Sequence, residues 1–107
     1  TTAVQMALRL IWLPEAIDDL DAIAEYIAIE SGRYARDFVD RVVARAEGLL
    51  DLPFSGHINP EANREDIREL SAYPYRLIYR IRENDVMVLA VLHGSRLIDD
   101  ILRSRMS

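Results

Sequence analysis

The chain has 107 residues, no cysteine, 13 basic and 18 acidic residues, and a formal net charge of −5. A chain of this length forms one domain around a single core, so we interpret residues 1–107 as one unit. The absence of cysteine excludes disulfides, thiolate metal sites and a cysteine nucleophile. The acidic balance lacks the positive field that a dedicated nucleic-acid binder needs.

No segment approaches the roughly 18 uninterrupted apolar residues of a membrane span, and no basic leader precedes the first element. We therefore expect a soluble, cytoplasmic protein that does not contact a membrane. Charge is distributed unevenly, since residues 1–63 hold 5 arginines against 11 acids and residues 64–107 hold 8 against 7. All of the basic residues are arginine, which suits planar recognition of carboxylates and phosphates.

The first elements are a strand and a helix. Residues 1–7 show no clear period, and we interpret them as a disordered or non-native start. The apolar run LRLIWL (8–13) predicts a strand that ends at Pro14, where proline suits the first turn of a helix. Acids near the helix start complement its dipole, and Gly32 is predicted as its left-handed C-terminal stop. The apolar positions at helical spacing are Ala16, Ile17, Leu20, Ile23, Ala24 and Ile27.

A second helix follows within a few residues, so the two helices should form an antiparallel hairpin. Its apolar positions are Ala35, Phe38, Val39, Val42, Val43, Ala46, Leu49 and Leu50. Three aromatic residues, Trp12, Tyr26 and Phe38, fall at core-facing positions and are predicted to pack in the core.

From Pro53 the sequence loses its period and collects Pro, Gly, Asn and charge, which is typical of a surface loop. Three strands are then predicted at 67–71, 75–82 and 86–93, followed by a short helix at 95–104 that overlaps the C-terminal segment 97–107. The element order βααβββ predicts an α+β domain in which an N-terminal strand and a helical hairpin precede a three-stranded antiparallel meander. Both helices of the hairpin should lie on one face of the sheet.

The two faces of the meander differ in chemistry. In the middle strand the helix-facing residues should be Tyr75, Leu77, Tyr79 and Ile81, and the outer residues Arg76, Ile78, Arg80 and Arg82. In the next strand both faces are apolar, with Val86, Val88, Ala90 and Leu92 on one side and Met87, Leu89 and Val91 on the other. Because two helices cannot cover both faces, a partner protein or the C-terminal segment should cover the outer patch. The predicted partner-binding residues are Arg76, Ile78, Arg80, Arg82, Met87, Leu89, Val91 and Arg96.

His93 ends the last strand and has three interpretations: a catalytic base, a metal ligand, or a residue that only marks the strand end. A metal site needs about three ligands, and the other histidine, His57, lies far off in a loop. A locally hydrogen-bonded histidine is the favoured interpretation. We therefore predict no metal site, no cofactor and no catalytic residue in the favoured interpretation.

Four motifs in order resemble the ParE branch of the RelE/ParE toxin superfamily, over roughly residues 9–98. The opening element WLPEAIDDLDAIAEYIA matches that branch, and Pro53 and Gly56 match its P, two residues, G. The string PYRLIYR (74–80) matches its PYR, two residues, YR. Near the end, Val91, His93, Gly94 and Arg96 resemble its V, any, HG, any, R.

The resemblance implies a toxin that inhibits DNA gyrase by binding and is neutralised by a ParD-like antitoxin, with no direct sequence-specific DNA binding of its own. The sister RelE branch instead cleaves mRNA on the ribosome with basic residues of the outer sheet face. In that alternative Arg76 and Arg96 would stabilise the phosphate and His93 would act as the acid. The chain departs from the RelE pattern because it has no lysine and a net negative charge. A third alternative is a non-toxic protein-interaction module.

Overall fold

The computed structural model describes residues 8–96 and 98–106, so the interpretation of residues 1–7 lies outside the described residues. The elements follow in chain order β1 (Arg9–Trp12), α1 (Pro14–Ala28), α2 (Gly32–Gly48), β2 (His57–Ile58), β3 (Ile67–Ala72), β4 (Tyr75–Ile81), β5 (Asp85–His93) and α3 (Asp99–Met106). Every predicted strand and helix is present. The two-residue strand β2 was not predicted, because it lies inside the polar loop after Pro53.

The strands form one five-stranded sheet in the order β1-β5-β4-β3-β2. Strand β1 is parallel to β5, and the remaining neighbours are antiparallel. The predicted meander therefore forms the centre of the sheet, with β1 and β2 added at its two edges. No helix in the described part of the chain is long and apolar enough to cross a membrane.

Local sequence features determine where the two helices of the hairpin begin. Pro14 occupies the first turn of α1, where its missing N–H is not needed. Ser31 caps α2, and its hydroxyl accepts a hydrogen bond from the Tyr34 N–H at 3.1 Å. The prediction that Gly32 ends α1 is wrong, because α1 ends at Ala28 and Gly32 is the first residue of α2. None of the described glycines has a positive φ.

The main core lies between the hairpin and one face of the sheet. Its fully buried residues include Ala16, Val42, Ala46, Leu49 and Tyr79. Phe38 is buried and Trp12 is partly buried against this core, as predicted. The prediction for Tyr26 is wrong, since 70% of this residue is exposed near the tip of the hairpin.

A β-bulge in β5 changes which residues face the helices. Ile78 of β4 pairs with Ala90, whereas the next residue, Tyr79, pairs with Val88, so Leu89 is the extra residue. The strict alternation predicted for β5 is therefore wrong after Leu89. Ala90 and Leu92 face outward, and Val91 belongs to the helix-facing core.

The outer face of the sheet is covered by α3, so the prediction that the helices lie on one face holds only for α1 and α2. Ile98 and Leu102 of the C-terminal segment pack against Ile78 and Leu89, which are fully buried. Each such aliphatic side chain contributes about 1.5–3 kcal/mol when it leaves water. Of the two covers that we expected for this patch, the C-terminal segment is the one observed.

Asp19 of α1 and Arg105 of α3 meet beside the bulge. Arg105 donates to both carboxylate oxygens of Asp19, at 2.6 and 3.1 Å. Asp19 also accepts the Val91 N–H at 3.0 Å, and Arg105 donates to the Leu89 C=O at 2.9 Å. The ion pair therefore satisfies backbone groups of β5 beyond the end of β1 and ties α1, β5 and α3 together.

The loop after α2 is held against β4 by Tyr79. The Tyr79 hydroxyl donates to the Pro53 C=O at 2.7 Å and accepts the Gly56 N–H at 3.0 Å. A Cβ at Gly56 would lie 2.6 Å from both the Glu69 C=O and the Tyr79 hydroxyl oxygen. The proline and glycine of the loop motif and the second tyrosine of the PYR motif therefore act as one structural unit.

We expect the substitution Gly56→Ala to lower the free energy of unfolding by about 1–3 kcal/mol, because the added methyl group has no space. Gly48→Ala is the matched control. Among the described residues, none outside the adjoining backbone of α2 comes within 4 Å of a Cβ at Gly48, and alanine favours the helix end that it occupies. Urea unfolding of the three proteins measures the difference. Equal stability of the two variants would contradict the close approach at Gly56.

Candidate functional site

The predicted partner-binding residues divide into buried and accessible groups. Ile78 and Leu89 lie beneath α3, and Val91 is on the other face, so the placement of Val91 on the outer face is wrong. Its reversal follows from the bulge, which shifts the alternation of β5 by one residue. The residues of the predicted set that keep some exposure are Arg76, Arg80, Arg82, Met87 and Arg96.

Arg76 is enclosed by acceptors. Its two terminal nitrogens donate to the two carboxylate oxygens of Glu61, at 3.0 and 3.1 Å. They also donate to Glu69 at 2.9 Å and to the Arg96 C=O at 2.7 Å. Only 13% of the side chain is exposed. The hydrogen bond to Glu61 raises the pKa of Arg76 above its ordinary value despite burial. The positive charge of Arg76 is thus compensated within the chain.

Glu69 collects three side chains on its carboxylate. His57 and Asn59 lie 2.9 and 3.1 Å from its two oxygens, and Arg76 adds the ion pair. Burial acts to raise the pKa of Glu69, but the hydrogen bonds from Arg76, His57 and Asn59 outweigh it and hold the pKa below its ordinary value. Asn59 is fully buried and also accepts the Ala62 N–H at 2.7 Å. This carboxylate therefore organises the loop between β2 and β3.

The remaining outer arginines differ in how far they are neutralised. Arg82 binds Asp85 with two hydrogen bonds of 2.8 Å across the β4–β5 turn, and this contact lowers the pKa of Asp85. Arg80 shares Asp66 with Arg64. The Arg96 side chain is exposed, and within residues 8–96 and 98–106 it has neither a hydrogen bond nor an ion pair.

His93 ends β5, as predicted. Its Nδ1 accepts the Ser95 N–H at 3.2 Å and lies 2.8 Å from the Ser95 hydroxyl, so the network assigns the ring proton to Nε2. The ring packs edge-on against Tyr75, with centroids 5.6 Å apart. Gly94 then turns the chain and donates to the Pro74 C=O at 2.8 Å. These contacts are the locally hydrogen-bonded arrangement that the sequence favoured.

The fold brings the two histidines to one open cavity of about 430 Å³, although they lie 36 residues apart in the sequence (93 minus 57). Arg76, Glu69 and Ser95 also line it. Phosphate chemistry needs cationic groups aimed at the developing charge. In this cavity the central arginine is already shared between two carboxylates, so the arrangement offers little positive charge to a phosphate.

Sequence analysis missed the acceptors of this network, Glu61, Glu69 and Asn59. Glu69 lies two residues after Ile67 in β3, so both residues are on the outer face of the sheet, which Arg76 shares. The two-residue period of the strand could have indicated this position. Glu61 and Asn59 lie in the loop, where no period predicts a direction. Their positions depend on strand β2, which pairs His57 with Glu69.

The chain resembles a solved structure in its fold. It matches a chain of a structure titled "Chromosomal ParDE TA system from P. aeruginosa" with a TM-score of 0.69 and 22% identity, over 83% of this chain and 98% of that one. At this identity the likeness shows the fold alone. The comparison with curated proteins found no match.

The family model described as "ParE toxin of type II toxin-antitoxin system, parDE" matches residues 10–98. The chain therefore belongs to the ParE toxin family of type II toxin–antitoxin systems. The match spans the helical hairpin, the loop unit of Pro53 and Gly56, and the sheet through His93. The family resemblance inferred from the four motifs is confirmed.

We expect Glu69→Gln to lower the free energy of unfolding by about 1–3 kcal/mol at neutral pH, because it removes a buried charge-assisted network. Since the folded pKa of Glu69 lies below its ordinary value of 4.5, its stabilising contribution is present above that value. The contribution is lost as the pH falls through the folded pKa. Urea unfolding at a series of pH values measures the difference in the free energy of unfolding between the wild type and the variant.

Glu65→Gln, an exposed position in the same loop, is the control. The Glu69 difference should shrink toward low pH, whereas the Glu65 difference should stay small throughout. A Glu69 difference that grows on acidification would contradict the charge network.

Proposed function

We propose that this chain is the toxin of a two-component module, that a ParD-like antitoxin neutralises it, and that it inhibits DNA gyrase by binding. Membership in the ParE family supports this proposal, because gyrase inhibition and a ParD partner are typical of that family. The observation that carries the choice of binding over catalysis is the compensation of Arg76 by Glu61 and Glu69.

mRNA cleavage, the alternative from the RelE branch, would need Arg76, Arg96 and His93 to act together on a phosphate. Arg76 is already bound by the carboxylates of Glu61 and Glu69. Of the two arginines, only Arg96 has a guanidinium with no hydrogen bond or ion pair within residues 8–96 and 98–106. A single exposed cation at the end of the sheet supports recognition of a partner more than stabilisation of a phosphorane-like transition state.

The accessible residues of the predicted set support a protein-binding role. Arg80 lies beside Leu102 and Met106 of α3, and Met87 pairs with it from the next strand. Arg82 and Arg96 are exposed. Arginine and methionine are both enriched in protein interfaces. We propose that these residues contact the antitoxin or the target. Ile78, Leu89 and Val91 then support the site from beneath and do not touch the partner.

We expect purified gyrase to accumulate cleaved DNA when this protein is added, and its supercoiling activity to fall. Gel electrophoresis after protease treatment measures cleavage on supercoiled plasmid and supercoiling activity on relaxed plasmid. The same protein premixed with its antitoxin is the control and should leave the DNA intact. Unchanged supercoiling at excess protein would contradict gyrase as the target.

Induction of the toxin gene in cells separates the alternatives. Under our proposal growth stops while transcripts stay uncut. Codon-associated cuts that disappear with Arg96→Ala would establish the RelE-type activity instead. Normal growth without any antitoxin would support the non-toxic interaction module.

A further inference from the structure

A shallow groove of about 640 Å³ runs between α3 and the loop that precedes β3. We call it the α3 groove. Its apolar side chains are Ala62, Leu102 and Met106, and three arginines, Arg64, Arg80 and Arg103, line the same opening together with Asp99. The groove lies on the outer face of the sheet, opposite the helical hairpin.

The α3 groove is positive on a chain that is otherwise acidic. Arg64 and Arg80 share the single carboxylate of Asp66, at 2.7 and 3.2 Å. Arg103 is exposed, and in the described part of the chain no side chain pairs with it. Three guanidiniums thus face two carboxylates, Asp66 and Asp99, whereas the whole chain carries −5. These groups sum to a local charge of +1, which favours an acidic ligand in the groove.

The groove exists only while α3 is docked. Leu102, Arg103 and Met106 of α3 form one wall, and Arg105 of the same helix is bound to Asp19. A ligand that occupies the α3 groove must therefore bind the closed arrangement. By linkage, such a ligand stabilises the docked position of α3.

We propose that the α3 groove docks an acidic amphipathic segment of a partner protein. Its apolar side chains would contact Leu102 and Met106, and its carboxylates would pair with Arg103 and with Arg64 and Arg80. The apolar floor and the two carboxylates beside it disfavour a polyanion such as RNA. This inference rests on the proposed function, because the ParD-like antitoxin is the partner expected to supply the segment.

The substitution Arg103→Glu tests the charge of the groove without touching the core. Arg33→Glu is the matched control, since Arg33 is exposed on α2 at the opposite face of the sheet. The probe is the antitoxin encoded beside this gene, with affinity measured by calorimetry on the full-length proteins. We expect Arg103→Glu to weaken binding roughly tenfold at low salt and less at high salt, and Arg33→Glu to change it little.

The outcomes separate the two proposals. If the wild-type protein forms no complex with the antitoxin, the proposed function fails and this inference fails with it. If the complex forms and the two variants bind equally well, the proposed docking in the α3 groove is wrong while the proposed function stands. Two further results would overturn the proposed docking in the α3 groove. One is loss of amide protection in α3 within the complex, and the other is displacement of the antitoxin by an RNA oligonucleotide. Unchanged thermal unfolding of both variants shows that the comparison reports binding.

Discussion

Strand β5 is apolar on both faces, and the architecture follows from the need to bury both. Val86, Val88 and Val91 pack under the helical hairpin, while Leu89, Ala90 and Leu92 pack under α3. A two-layer arrangement of sheet and hairpin would leave the second set in water, at a cost of about 1.5–3 kcal/mol for a residue such as leucine. The ion pair of Asp19 and Arg105 binds backbone groups of this strand and connects α1 on one face of the sheet to α3 on the other.

Periodicity predicted the order and type of the main elements because the apolar positions of α1, α2 and the three long strands repeat at clear spacing. Periodicity failed where a local backbone irregularity or a long-range contact determines the direction of a side chain or the presence of a strand. The bulge at Leu89 reverses the direction of Val91, and an unbroken apolar run contains no sign of it. Tyr26 was predicted to face the core, yet the next residue, Ile27, packs there and Tyr26 stays exposed. The two-residue strand β2 depends on pairing with β3, which no local pattern encodes.

The same limits apply to the candidate site. The outer arginines were identified from strand alternation, but their charge state in the fold depends on acids that lie elsewhere in the chain. Arg76 is compensated by Glu61 of a loop and Glu69 of the neighbouring strand, so an apparent cationic surface becomes a network without net positive charge. Opposite charges at this distance and burial are separated only at considerable cost. On the outer face of the sheet, accessible positive charge remains around α3. We therefore place partner binding there and not in the cavity of the two histidines.

The central claim is that α3 is an integral layer held by Asp19, and native-state hydrogen exchange of the Asp19→Ala variant tests it most directly. Asp21→Ala, an exposed aspartate on the same helix, is the matched control. We expect the Val91 amide and the amides of α3 to exchange faster in Asp19→Ala, with a loss of about 1–3 kcal/mol of local stability, and Asp21→Ala to leave them unchanged. Equal exchange in the two variants would contradict it.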